Sequence, residues 1–245
     1  ECFIHQLKDM KEALPGYDYI GVGRDDGKEK GEHSAIFYRT DKFDVIEKGD
    51  FWLSETPDVP SKGWDAVLPR ICSWGHFKCK DTGFEFLFFN LHMDHIGKKA
   101  RVESAFLVQD KMKELGKGKE LPAILTGDFN VDQTHQSYDA FVSKGVLCDS
   151  YEKAGFRYAI NGTFNNFDPN SFTESRIDHI FVSPSFQVKR YGVLTDTYRS
   201  IVGKGEKKQA NDCPEEIDIK TYQARTPSDH FPVKVELEFD QRQQK

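Results

Sequence analysis

The sequence predicts an α+β fold of two packed, mostly antiparallel sheets with helices on their outer faces, giving four layers of helix, sheet, sheet and helix. Three observations support this. The 245 residues contain many strand-like runs and few helical ones. The run FEFLFFNLH at 84–92 is apolar on both faces, as expected of a strand buried inside a sheet. The run FPVKVELEF at 231–239 alternates apolar and charged residues, so one of its faces is polar or wet.

Three amphipathic helices are expected. The chain opens with a helix that Pro15 and Gly16 end, and two more follow in the middle of the chain. Apolar residues recur on one face of each, with polar and charged residues between them. These residues are Phe3, Leu7, Met10 and Leu14 in the first helix, Ala105, Val108, Met112 and Leu115 in the second, and Tyr138, Phe141 and Val142 in the third.

Seven runs have the composition of strands, and the segments between them are predicted loops. One such segment, GVGRDDG at 21–27, has GxGxxxG spacing and no helix pattern after it, so we interpret it as a loop rather than a dinucleotide site. The charged run RDDGKEKGEH at 24–33 is either solvated surface or a mobile loop facing substrate. The strand runs are SAIFYR, FDVIEKGDFWLS, RICSWGHFKC, FEFLFFNLH, PAILTG, RIDHIFVS and FPVKVELEF.

Composition limits the class of protein. We expect a single domain over residues 1–245, because no linker-like run and no repeat interrupts the chain. A net charge of -6 argues against tight binding of duplex DNA through its phosphates. The five cysteines are scattered and never spaced as CxxC, so we expect mostly core thiols. No run is long and apolar enough for a membrane span. We expect a monomer. The sequence does not indicate a cellular compartment.

The stretch ILTGDFNVD at 124–132 delivers Asp128 and Asn130 directly after an apolar run. A turn would explain both residues, since Asp, Asn and Gly are common turn formers. A site is the alternative, because loops at strand ends host both. These two interpretations are equally supported by this stretch alone.

Three other stretches also place polar groups at the end of an apolar run. They are NLHMDH with His92, RIDHIF with Asp178 and His179, and TPSDHFPV with Asp229 and His230. Each has a structural explanation: a core histidine, a cross-strand polar pair, and a helix or turn cap. Turn chemistry alone would not need histidines beside acids three times over. Together, the four stretches favour a site.

In the order NLH, GDFN, IDH, SDH, these blocks resemble the signature of the endonuclease/exonuclease/phosphatase superfamily, the DNase I-like phosphoesterases that depend on Mg²⁺. The resemblance runs from Glu1 to about Phe239. The stretches GEHSAIFYR, FWLSETPD and GTFNNF further resemble a bacterial subgroup, with some similarity to deadenylase-type members. The resemblance implies a DNase I-like fold and water attack at phosphorus.

The family pattern implies roles that the chemistry of phosphate esters also supports. Asp128 would orient and deprotonate the attacking water, and Asn130 would hold that water or the phosphate in line. His230 would contact the scissile phosphate, with Asp178 fixing its tautomer and favouring the imidazolium. His92 would donate to a non-bridging oxygen of the phosphate.

The resemblance also implies a metal site and a further cation. Glu1 stands where the family has the glutamate that is its main metal ligand, and Asp229 would join the metal or its waters. Arg70 would add a charge-assisted bond to the substrate. Oxygen ligands fit Mg²⁺ or Mn²⁺ better than Zn²⁺. The family's first strand, with its Asn, has no counterpart here, so we expect the chain as given to lack that strand and the helix after it.

Two functions from different classes follow. The first is a divalent-metal-dependent hydrolase of phosphate esters, with a single-stranded nucleic acid or a small phosphodiester among its expected substrates and the choice between diester and monoester open. The second is a DNase I-like binding module without catalysis, or a fragment disabled by its missing N-terminus. The retained set of acids and histidines favours the enzyme.

Overall fold

The computed structural model describes residues 1–116, 121–143, 145–158, 161–202 and 222–239. These ranges contain four helices and thirteen strands. The helices are α1 (Ile4–Ala13), α2 (Lys98–Leu115), α3 (Gln136–Val142) and α4 (Ser150–Lys153). The strands are β1 (Tyr17–Ile20), β2 (Ile36–Arg39), β3 (Phe43–Trp52), β4 (Ile71–Cys79), β5 (Glu85–His92), β6 (Ala123–Asp128), β7 (Cys148–Asp149), β8 (Phe156–Tyr158), β9 (Asp178–Val182), β10 (Phe186–Val193), β11 (Tyr198–Ile201), β12 (Tyr222–Arg225) and β13 (Val233–Phe239).

The largest sheet has six strands in the order β3-β4-β5-β6-β9-β7. All neighbours in it are antiparallel except β5 and β6. Helices α2 and α3 cover one face, where Val108 and Phe141 join Leu125 and Phe181 in the main core. Burying one such side chain fully contributes about 1.5–3 kcal/mol, so this face is a major source of stability. The predicted second and third helices are confirmed.

The second layer packs on the opposite face of the six-stranded sheet and consists of two pieces. One piece is the sheet β13-β10-β8, whose Phe186 and Val188 pack with Ile124 and Val182 of the large sheet. The other is the pair β1-β2, whose Ile20 and Ile36 pack with Phe77. The predicted α+β fold of two packed sheets is therefore confirmed. The strands β11 and β12 pair only with each other among the described residues.

A cleft of about 900 Å³ opens beside β13, over the ends of β5, β6 and β9. In the described part of the chain, β13 pairs with β10 alone, so its other edge faces this cleft. Apolar side chains line its inner part, among them Phe88, Ile124, Val235 and Leu237. Asp128, Asp178, Asp229 and His230 line its polar end.

The individual sequence predictions have mixed outcomes. The opening helix is α1, with Leu7 fully buried, and GVGRDDG is a loop as expected. The prediction of strands was wrong at residues 186–193, where the structure has β10 and no strand was predicted. The expectation of mostly core thiols is wrong for the described cysteines, since only Cys72 is buried, whereas Cys2, Cys79 and Cys148 are half-buried; Cys213 lies outside the described residues. None of the described helices has the length and apolar character needed to cross a membrane.

Candidate active site

Strand pairing sets the positions of three candidate residues. Strands β5 and β6 are parallel, so their carboxyl ends meet at one edge of the sheet, and His92 pairs in register with Asp128. Strand β9 runs antiparallel beside β6 and starts at Asp178, which pairs with Asp128 from the other side. Three functional side chains thus begin in one row across three neighbouring strands.

Gly127 allows this row to close. Its φ is +148°, and an added Cβ would lie 2.0 Å from the carbonyl oxygen of Leu91 on the neighbouring strand. Any side chain at this position would push β6 away from β5. The glycine before Asp128 is therefore required by the close approach of two backbones.

The turn and the site proposed for ILTGDFNVD coexist. The Asn130 amide donates to Oδ1 of Asp128 at 2.7 Å, a hydrogen bond typical of an Asx turn. Asn130 adopts φ 50°, and its side-chain amide donates to the Met93 carbonyl at 2.9 Å. The turn occupies one oxygen of Asp128, while Oδ2 lies 3.9 Å from Nε2 of His230. The same carboxylate therefore shapes the loop and faces the cleft.

His230 and Asp178 form a close pair, with Nδ1 of the ring 2.8 Å from Oδ2 of the carboxylate. Burial alone would lower the pKa of His230, but the bond to Asp178 and the charges of Asp178, Asp128 and Asp229 outweigh it and raise the pKa to about 9. The pairing fixes the proton on Nδ1 and leaves Nε2 directed toward Asp128. The imidazolium form is therefore favoured at neutral pH.

Asp128 is 8% exposed and lies between two other acids. Burial, followed by the charges of Asp178 and Glu1, raises the pKa of Asp128 to about 7. Strongly shifted pKa values in a neighbouring acid and histidine are typical of catalytic sites. A carboxyl group with this pKa is suited to taking a proton from water near neutral pH.

His92 lies between carboxylates and Arg70. Its Nδ1 is 3.1 Å from Oε1 of Glu1, its Nε2 is 3.6 Å from Oδ2 of Asp128, and Nη1 of Arg70 lies 2.7 Å from Nε2. Burial lowers the pKa of His92. The same Nη1 lies 2.8 Å from Nδ1, so the guanidinium faces both ring nitrogens of His92. Arg70 is 3% exposed, and its Nε also approaches Asp94 at 3.4 Å.

The donor set fits a divalent cation. Side-chain atoms of Glu1, His92 and Asp128 all lie within 4.8 Å of one another. Two carboxylates suit a hard cation such as Mg²⁺ or Mn²⁺, whereas both ring nitrogens of His92 face the guanidinium of Arg70. Asp229, the other expected ligand, lines the same cleft but does not belong to this group of three. Glu1 and Asp128 therefore have the chemistry and proximity to hold the metal.

Residues from the charged loop 24–33 also reach the site, although the sequence did not identify them as candidates. Oε2 of Glu32 lies 3.5 Å from Nδ1 of His92 and 2.5 Å from Nη1 of Arg24. A hydrogen bond from His92, and the charge of Arg24, lower the pKa of Glu32 to about 2 despite its partial burial. A stretch rich in Lys, Asp and Glu gives no sign of which charges turn inward, so sequence alone could not separate these two from solvated neighbours.

One aromatic loop closes the His230 side of the cleft. The amides of Asn165 and Asn166 donate to the carbonyl of Asp229 at 2.7 and 3.1 Å. Phe164 packs its ring edge-on against His230, with centroids 5.2 Å apart, and is 41% exposed. The loop thus fixes the backbone beside Asp229 and places an apolar surface at the entrance.

The two-sheet sandwich and the paired acid and histidine groups at one end of it have the arrangement expected of a hydrolytic phosphoesterase. A sequence profile of the endonuclease/exonuclease/phosphatase family matches residues 8–230. The chain belongs to this family.

Three similar proteins refine the comparison. The structure of a mannosyl-6-phosphatase of Bacteroides thetaiotaomicron VPI-5482 is 85% identical, with 98% of this chain and 83% of that one covered and a TM-score of 0.89. An endonuclease/exonuclease/phosphatase structure from Bacteroides vulgatus is 37% identical, with 97% and 82% covered and a TM-score of 0.79. The uncharacterized protein L388 of Acanthamoeba polyphaga mimivirus is 30% identical over 95% of this chain and 80% of its own length.

Proposed function

We propose that this chain is a divalent-metal-dependent phosphomonoesterase that releases phosphate from a sugar phosphate by attack of water at phosphorus. The family is one of phosphoesterases, and the 85% identical relative is named a mannosyl-6-phosphatase. The observation that carries the proposal is the approach of Asp128 and His230 to 3.9 Å, with Asp178 bonded behind the histidine. That arrangement places a base and a positively charged donor side by side at the polar end of the cleft, where both can face the same phosphate.

In this mechanism Oδ2 of Asp128 accepts a proton from the attacking water, for which its pKa of about 7 is suited. The imidazolium of His230 faces the scissile phosphate and donates from Nε2, while Asp178 keeps the ring in that tautomer. Asn130 borders the same turn and holds the water or a phosphate oxygen in line. A cation held by Glu1 and Asp128, with Asp229 near it, would neutralise phosphate charge and make bound water more acidic.

Arg70 and His92 complete the phosphate-binding side. The buried guanidinium of Arg70 keeps its charge and offers rigid donors to phosphate oxygens. Nδ1 of His92 lies 3.1 Å from Oε1 of Glu1 and 3.5 Å from Oε2 of Glu32. Its expected bond to a non-bridging oxygen therefore requires the phosphate to compete with those carboxylates, and it stays a prediction.

The test is a turnover screen with Mg²⁺ or Mn²⁺ against mannose 6-phosphate, p-nitrophenyl phosphate, bis(p-nitrophenyl) phosphate and a single-stranded oligonucleotide. We expect metal-dependent release of phosphate from the first two, abolished by EDTA. Asp128→Asn and His230→Gln should each lower kcat/KM by about 10²–10⁴-fold, because acid-base and electrostatic effects have that size. Unchanged circular dichroism would show that the fold survives.

Other outcomes of this screen point to other functions. Preferential cleavage of the diester or the oligonucleotide would replace the phosphatase with a phosphodiesterase or nuclease at the same site. No turnover of any substrate would support the binding module instead.

A further inference from the structure

The charged loop 24–33 is built to bring its two ends together. The Arg24 amide donates to the Glu32 carbonyl at 3.0 Å, and the Asp25 amide to the Lys30 carbonyl at 3.1 Å. Gly23 permits this closure, because a Cβ there would lie 2.2 Å from the carbonyl oxygen of Lys30. The backbone thus sets Arg24 beside Glu32 without help from their side chains.

The Arg24 side chain is directed inward. Only 11% of it is exposed, although Asp25 next to it is 51% exposed. Nη1 of Arg24 pairs with Glu32 at 2.5 Å, whereas its buried Nε has no hydrogen-bond partner. The indole of Trp52 donates to the Arg24 carbonyl at 2.7 Å and fixes the backbone from the other side. A buried guanidinium with a spare donor has unused capacity to bind an anion.

Short contacts connect Arg24 to the phosphate-binding side of the active site. Glu32 bridges Arg24 and His92 through the same oxygen, at 2.5 and 3.5 Å. His92 in turn contacts Arg70 at 2.7 Å. The two guanidinium groups therefore lie on either side of one carboxylate and one imidazole.

We propose that Arg24 is a specificity-determining residue that binds the terminal oxygens of a phosphate monoester together with Arg70. This inference rests on the proposed phosphoesterase function. A monoester carries up to two negative charges on three terminal oxygens, while a diester carries one charge on two. A second guanidinium therefore favours the monoester, since charge-assisted bonds to the extra oxygen and charge exist only there.

Glu32 acts as the counter-ion of Arg24 when phosphate is absent. Its carboxylate is the nearer of two acids beside the buried guanidinium, since Oδ1 of the exposed Asp25 lies 3.9 Å from Nε of Arg24. An arriving phosphate competes with this carboxylate for Arg24. Removing the charge of Glu32 while keeping its shape should therefore leave phosphate binding as tight as before, or tighter.

The experiment measures binding and turnover with four variants. Inorganic phosphate is titrated calorimetrically into the Mg²⁺-saturated chain, and kcat/KM is measured for p-nitrophenyl phosphate and for its bis-ester. The variants are Arg24→Gln, Arg24→Lys, Glu32→Gln and the control Arg39→Gln. Arg39, the last residue of β2, is 51% exposed and pairs with Asp41, so its substitution removes the same charge at the surface.

We expect Arg24→Gln to weaken phosphate binding about 10- to 100-fold and to lower kcat/KM for the monoester by a similar factor, the range typical of a charged hydrogen bond. Turnover of the bis-ester should change less than about 3-fold, since that substrate lacks the extra charge and oxygen. Arg24→Lys should recover part of the loss, and Glu32→Gln and Arg39→Gln should not weaken phosphate binding.

Three results would overturn the inference. The first is an unchanged phosphate affinity in Arg24→Gln. The second is an equal loss of phosphate affinity in Arg24→Gln and Glu32→Gln together with a lowered Tm in both, which would indicate a structural ion pair. The third is the absence of phosphate binding by the wild type at millimolar concentration. Phosphate binding that depends on Arg24 in a chain that hydrolyses neither ester would support the anion site and refute the enzyme. The two proposals can therefore fail separately.

Discussion

Asp149, in the edge strand β7, is the carboxylate with which the stability of this edge of the six-stranded sheet can be tested. It accepts a hydrogen bond from Tyr138 Oη at 2.8 Å and one from Arg176 Nη1 at 3.0 Å, and its Oδ1 caps α4 by accepting from the Tyr151 amide at 2.8 Å. The side chains of Arg176 and Asp149 are 6% and 2% exposed. The informative change is Asp149→Asn, which keeps the shape and the cap but removes the charge.

The expected loss is about 3 kcal/mol. Breaking a buried pair by removing one partner costs about 3–5 kcal/mol, because the other charge stays buried without compensation. Two remaining interactions of Arg176 favour the lower end of that range. Its guanidinium lies 3.7 Å from the centroid of the Tyr151 ring and 3.5 Å from Oε1 of Glu152. For a chain of this length, about 3 kcal/mol corresponds to a fall of about 6–12 °C in Tm.

Urea denaturation followed by circular dichroism measures this loss, with Asp139→Asn as the control. Asp139 lies in α3 and is exposed, so its change should alter the free energy of unfolding by less than about 1 kcal/mol. A double-mutant cycle with Arg176→Met isolates the coupling between the two charges. A loss below about 1 kcal/mol in Asp149→Asn, or no coupling in the cycle, would refute the assignment of a buried ion pair.

Three further predictions concern the site. Gly127→Ala should destabilise the chain by about 2 kcal/mol or more and lower turnover, because its Cβ would overlap a carbonyl of β5; a Tm within 1 °C of wild type by calorimetry would contradict this. The kcat/KM should fall above about pH 9 as His230 loses its proton. In Asp178→Asn the alkaline limb should move to lower pH, and an unmoved limb would mean that His230 is not the acid. Glu1→Gln should weaken Mg²⁺ binding in calorimetric titrations; equal affinity in the variant and the wild type would show that the metal is held without Glu1.

The sequence predicted strands well where one pattern ran through a whole element. FEFLFFNLH and FPVKVELEF became β5 and β13 with the expected burial. Strand β10 was missed because a bulge between Val188 and Arg190 shifts its register against β13 and interrupts the alternation of apolar and polar residues. The strand β1 was missed because it is four residues long and directly follows the turn at Gly16.

The site was predictable to the extent that strand ends carry it. The acids and histidines after apolar runs could be assigned to one edge, since the ends of parallel neighbours meet there. Burial of a charge inside a polar loop leaves no mark in the sequence, so Arg24 and Glu32 looked like solvated surface. The structure identifies Arg24 and Glu32 as neighbours of the site because Glu32 contacts His92. The mobility of the loop that carries them stays a prediction.

The row formed by His92, Asp128 and Asp178 depends on the strand register and not on the loops, so the loops can vary in evolution while the register cannot. Its spacing is fixed by backbone hydrogen bonds across three strands, so loops such as 53–69 and 161–176 can be lengthened, shortened or exchanged while the row keeps its geometry. A single-residue deletion within β6 would instead turn Asp128 to the other face of the sheet. Descendants of such a chain can therefore change their specificity for the leaving group through loop replacement, whereas every one of them inherits the same strand register.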